Sequence, residues 1–132
     1  MKRLSNEEIA EHLKETGLLY AMLGVQFKPR AYGRAAEEAA SFGQEIAALF
    51  KEKGEKGLKE IPGVGPGIAA HVASLLKTGT FSEYEKLRKK LPIDVLGLTR
   101  VEHVGPKTAL LLYKKLGVKD VADLERAAKA GK

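Results

Sequence analysis

Two short stretches, forty positions apart, constrain this chain more than anything else in it. "IPGVGPGIAAHVA" (61–73) crowds glycine and proline between Pro62 and Gly67, then runs into an apolar helical pattern. "VEHVGPKTALLLY" (101–113) repeats the Val-Gly-Pro core and again enters an apolar helix. Any fold for this sequence has to hold two tight turns, each feeding a helix.

The rest of the pattern is helical as well. Ser5 with Glu8 reads as a capping box ahead of Ile9, Leu13 and Met22 to Leu23, and Gly24 reads as the stop. "RAYGRAAEEAASF" (30–42) follows Pro29, a natural helix start, and "GQEIAALFKEKG" (43–54) ends on Gly54. A short helix, the first turn and a longer helix occupy 55–79. Ser82 and Glu85 form the signature of a second capping box opening 82–91. The second helix-turn-helix covers 92–117, and Asp120 stands as N-cap of 119–130. Alternating strand patterns are absent, so the chain is expected to be all-α, in two small helical lobes at 1–80 and 81–132.

At 132 residues the chain is bounded to one domain or two lobes sharing a core. It has no Cys, which excludes disulfides and thiolate metal sites and fits a reducing cytoplasm. No apolar leader opens it and no run is long enough for a membrane span, so a soluble protein without a membrane partner is expected. Lys and Arg number 23 against 17 acids, a net charge of +6. That surplus points to a polyanionic partner.

The two turns suit such a partner. Glycine removes Cβ atoms and permits left-handed φ, so another backbone can approach. Pro66 fits the first helical position, and the free N–H groups of that turn face out at the positive end of the helix dipole, where a phosphate oxygen binds. The second turn adds Lys107 and Thr108, a cation and a hydroxyl beside the same N–H groups. One Gly-x-Gly alone reads as an ordinary tight connection; two copies at a matched offset in a basic chain favour phosphate. Arg30 and Arg34 share a helical face near Lys28, and Lys114 follows the second turn, extending the same basic track.

Both segments resemble helix-hairpin-helix motifs, the first at 55–78 and the second at 93–116. With "RAYGRAA" (30–36), "LLKTG" (75–79), "LTRVEHVGPKTA" (98–109) and "LGVKDVADLERA" (116–127), their order resembles the N-terminal region of family X DNA polymerases, the DNA polymerase beta-like family. The resemblance implies a lyase-like lobe followed by a fingers-like lobe. It further implies a repair setting, of the base excision kind, in the cytoplasm or, in a prokaryote, on the nucleoid. Phosphate contacts carried over by position are Gly63, Gly65 and Gly67 in the first turn and Gly105, Lys107 and Thr108 in the second. Lys28 matches a lysine of the family's 5′-phosphate pocket. The resemblance also implies a Na+ or K+ ion on the backbone carbonyls of Lys59, Ile61 and Val64, and on those of Thr99, Val101 and Val104.

The sequence departs from the family at three places. His71 stands where lyase-active members carry the Schiff-base lysine, and imidazole forms no imine. Gly67 replaces a basic residue, and His103 replaces the first glycine of the second turn. A lone helical histidine such as His71 is expected to be solvated. The only aspartates are Asp94, Asp120 and Asp123, with no cluster for two-metal nucleotidyl transfer. The expected function is therefore sequence-nonspecific DNA binding, on gapped or nicked duplex, without polymerase or lyase chemistry and with no required cofactor. The alternatives are a deoxyribose-phosphate lyase using a displaced lysine, Lys59 or Lys77, and a protein-interaction scaffold. A chain closing on "AAKAGK" without a terminating feature fits a downstream polymerase domain in a longer parent.

Overall fold

In the computed structural model, which describes residues 3–131, α1 (Asn6–Met22) begins on the capping box read from the sequence. The Ser5 hydroxyl accepts the Glu8 N–H at 3.1 Å, and the Glu8 carboxylate accepts the Ser5 N–H at 3.0 Å. Each bond satisfies a backbone donor that the first turn leaves open. After Gly24, α2 (Lys28–Ser41) starts two residues earlier than expected, with Pro29 inside its first turn. Then come α3 (Ile46–Lys53), α4 (Glu55–Leu58) and α5 (Pro66–Thr78), followed by α6 (Ser82–Lys90), α7 (Val95–Thr99), α8 (Pro106–Leu116) and α9 (Val121–Lys129). All regular structure among the described residues is helical, and no helix there is long and apolar enough to cross a membrane.

α1 is the element the others pack around. It buries Ile9, Leu13 and Leu19, makes its largest contact with α2, and also touches α6, α7 and α8. The α1–α2 crossing is close because of Gly17: a Cβ there would lie 3.0 Å from the Tyr32 Cβ and 3.3 Å from the Pro29 carbonyl oxygen. Asn6 fixes the far end, donating to the Gln44 carbonyl and accepting the Ile46 N–H, both at 2.8 Å. A continuous buried cluster runs from Leu58, Ile61, Val72 and Leu76 through α1 to Ile93, Val95, Leu98 and Ala109. The ends of the two expected lobes, residues 1–2 and 132, lie outside the described residues.

The second capping box does not form. Phe81, not Ser82, is the N-cap of α6, and the Glu85 carboxylate accepts the Thr80 hydroxyl instead. Local sequence offered a cap, and the extended Phe81 backbone (φ −143°, ψ 131°) moved the helix start by one residue. Asp120 does cap α9, accepting the Asp123 N–H at 2.8 Å. α6 is tied to α1 through Glu15, which accepts the Tyr84 hydroxyl at 2.8 Å and lies 3.8 Å from the Arg88 guanidinium.

Leu13 is fully buried at the centre of this arrangement. Leu13→Ala is expected to lower the unfolding free energy by about 2–5 kcal/mol in urea denaturation, through lost transfer energy and the cavity left behind.

Candidate nucleic-acid interface

The two turns are copies at the level of individual hydrogen bonds. In the first, Ile61 N–H donates to the Leu58 carbonyl at 3.2 Å, Val64 N–H to Ile61 at 3.1 Å, and Ala69 N–H to Gly65 at 2.9 Å. Forty residues on, Val101 donates to Leu98 at 3.1 Å, Val104 to Val101 at 3.0 Å, and Ala109 to Gly105 at 2.9 Å. Buried Leu58, Ile61 and Val64 anchor the first turn, and buried Leu98 with half-buried Val104 anchors the second. Pro66 and Pro106 open α5 and α8 from extended Gly65 and Gly105, so the first-turn N–H groups of two helices stay free of intrahelical partners.

The glycines divide into two kinds. Gly63 is left-handed at φ 81°, and its counterpart His103 keeps the same conformation at φ 69°. The histidine therefore does not break the second turn; it accepts a backbone that non-glycine residues seldom take. Gly65 (φ −89°, ψ −174°) and Gly105 (φ −94°, ψ −178°) are extended, which any residue adopts. A Cβ added at Gly65, Gly67 or Gly105 would meet nothing within 4 Å. Neither internal packing nor, at 65 and 105, backbone angle calls for glycine there. The missing side chains leave room for something outside the chain.

Two expected basic residues reach the first turn from α2. The Arg34 stem lies across Gly63, its Cγ 3.2 Å and its Nε 3.3 Å from where a Cβ would stand. Lys28 stands at a cleft of about 310 Å³ shared with Tyr20, Tyr32, Gly67, Ile68, Phe81 and Glu83. Its ammonium sits 4.7 Å above the Tyr20 ring. Arg30 is exposed on α2, and Lys107 and Thr108 are exposed in the first turn of α8. Lys114 lies in the last turn of α8, about 12 Å along the axis from Pro106. Of the carbonyls expected to hold a cation, Ile61 and Val101 each already accept one N–H and keep a second lone pair, while Lys59, Val64, Thr99 and Val104 complete the two turns.

His71 is not solvated. It is fully buried, stacked on Phe81 with ring centroids 4.1 Å apart, and bonded at both nitrogens. Tyr32 Oη lies 2.8 Å from its Nδ1, and His12 Nε2 lies 2.7 Å from its Nε2. One order satisfies every group: the Tyr32 hydroxyl donates to His71 Nδ1, and His71 Nε2–H donates to His12 Nε2. The reverse order leaves the Tyr32 hydroxyl hydrogen without an acceptor among the described residues; either order keeps the two rings neutral. Burial lowers the His12 pKa to about 4 against a smaller opposing effect of Glu85. Burial and then the neighbouring His12 lower that of His71 to about 3. Burial, with Tyr20 and Glu83, pushes the Tyr32 hydroxyl up. The sequence did carry a signal: His71 is three residues after Ile68 and four before Leu75, on the buried face of α5. Phe27 was also unforeseen, left-handed at φ 69° and 85% exposed immediately before Lys28.

Residues 4–81 match the model of a helix-hairpin-helix domain, and residues 95–130 match that of a SAM-like helix-hairpin-helix tandem. The DNA polymerase lambda of Arabidopsis thaliana is 28% identical over 121 residues, 91% of this chain and 22% of that protein. The DNA polymerase/3′-5′ exonuclease PolX of Bacillus subtilis is 29% identical over 101 residues, 72% of this chain and 17% of that protein. The chain spans about a fifth of the length of these curated relatives. The likeness to the N-terminal region of family X DNA polymerases thus runs through most of it.

The histidine pair has a pH signature. Both pKa values are depressed on folding, so the unfolded chain binds more protons, and stability is complete only above the unfolded value of 6.5. It is expected to fall as pH drops from about 6.5 toward 4, by up to ~1.4 kcal/mol per pH unit for each histidine. Denaturant melts at pH 7.5, 5.5 and 4.5 check this, and His71→Phe is expected to flatten the dependence.

Proposed function

Since the chain belongs to the helix-hairpin-helix domain family, we propose that it is a sequence-nonspecific DNA-binding module that grips the phosphate backbone at two points. The observation that carries this reading is the set of glycines whose Cβ positions are open, at the N-termini of α5 and α8. A phosphate oxygen seated there accepts free backbone N–H groups at the positive end of a helix dipole. Such contacts position the duplex and read no bases. In this reading Gly63, Gly65 and Gly67 with Arg34 serve the first turn, and Gly105, Lys107 and Thr108 the second. A Na+ or K+ ion on the turn carbonyls belongs to the same proposal; the all-oxygen donor set and the matched φ at positions 63 and 103 support it.

The preferred DNA is gapped or nicked duplex with a 5′-phosphate, in a repair setting in the cytoplasm or on the nucleoid. The Lys28 cleft supports this, since it joins an ammonium to the start of α5 at Gly67. Glu83 on the same cleft limits its net positive field. Lyase chemistry is not part of the reading, because the buried, neutral His71 supplies no amine for an imine.

Two experiments test the proposal. Gly65→Glu and Gly105→Glu are each expected to weaken duplex binding about tenfold or more while helical circular dichroism persists, since both positions are extended and open. Parent binding is expected to fall steeply with salt as counterions are released. Unchanged affinity in both variants removes the turns from the mechanism. In the second experiment, borohydride trapping on a pre-incised abasic duplex is expected to give no covalent adduct. An adduct would make the module a lyase working from another lysine.

A further inference from the structure

The two turns share one backbone but present different side chains. At the first, the tip residue is Gly63, and the Arg34 stem from α2 fills the space a Cβ would take. At the second, the tip residue is His103, with the same left-handed φ and the same closing hydrogen bond, Val104 N–H to Val101. Its Cβ therefore leaves the turn in the direction along which Arg34 lies at the first. We propose that His103 is a phosphate-contacting residue of the second turn, supplying from the turn itself the side-chain donor that α2 supplies to the first through Arg34. The inference rests on the reading that both turns hold DNA phosphates.

Three observations converge on it. The His103 side chain is 89% exposed, so it serves no packing role. Its position is the one where a glycine would relieve the backbone, so the histidine is held there against its conformational preference. Among the described residues its ion-pair partner is the exposed carboxylate of Glu102, at 3.4 Å from Nε2, a contact an incoming phosphate oxygen replaces in kind. An imidazole keeps at least one N–H to donate whether charged or neutral. The two turns are then unequal. The first carries a guanidinium from a neighbouring helix, and the second carries a short donor fixed to the tip, with Lys107 behind it on α8.

The test is duplex affinity of the whole chain at pH 8 and low salt, by fluorescence anisotropy on a 5′-phosphorylated nicked duplex, alongside thermal melting. His103→Gly is expected to weaken binding about three- to tenfold, the loss of one hydrogen bond. The same variant is expected to raise Tm by a few degrees, because glycine takes φ 69° without strain. Affinity and stability moving in opposite directions separates a contact from a structural effect. His103→Asn, which tolerates left-handed φ and keeps an N–H donor, is expected to recover most of the affinity. His103→Gly binding as tightly as the parent, or more tightly, while Gly105→Glu binds weakly, overturns the inference and leaves the two-turn reading standing. A parent chain that fails to bind the duplex overturns both.

Discussion

The burial of α1 is the constraint on which the remaining geometry depends. Ile9, Leu13 and Leu19 are each fully shielded, and each contributes about 1.5–3 kcal/mol by leaving water. The same helix meets α2 on one side and α6, α7 and α8 on others. The second turn, between α7 and α8, therefore takes its bearings directly from this apolar rod, and the first shares its buried cluster. The polar links around it, such as the exposed pair Arg100 and Glu11 at 3.8 Å, add direction and little free energy.

Electrostatics follow from the same burial. Desolvation keeps His12 and His71 uncharged at neutral pH, and the aromatic wall of Tyr32 and Phe81 adds no net charge. The field at the cleft is thus set by what stands at its rim, the Lys28 ammonium opposed by the Glu83 carboxylate. At the turns it is set by the helix N-termini, by Arg34 from α2 at the first and by Lys107 of α8 itself at the second. His71 is here a neutral link in a hydrogen-bonded chain between three helices.

The all-α architecture, the order of the helices and the two turns were legible in the residues, because Gly, Pro and apolar spacing encode them locally. The capping box at Ser5 and the cap at Asp120 were legible for the same reason. What escaped was set by contacts distant in sequence. His71 meets His12 59 positions away and Tyr32 39 positions away, and no local pattern announces such a meeting. Ser82 and Glu85 matched a motif that Phe81 and Thr80 then displaced. The glycines were read as removing Cβ atoms and permitting left-handed φ; the structure divides these roles, with Gly63 left-handed and Gly65 and Gly67 leaving open space.

Each turn is closed by main-chain hydrogen bonds and anchored by buried residues, so the tip residue answers to its left-handed φ and to what stands outside it, and not to the core. Positions 63 and 103 show the result: glycine at one, histidine at the other, and one backbone path through both. A support of that kind behaves like a socket. Within the limits that a left-handed φ sets, the residue at the tip differs between the two turns while the scaffold stays put.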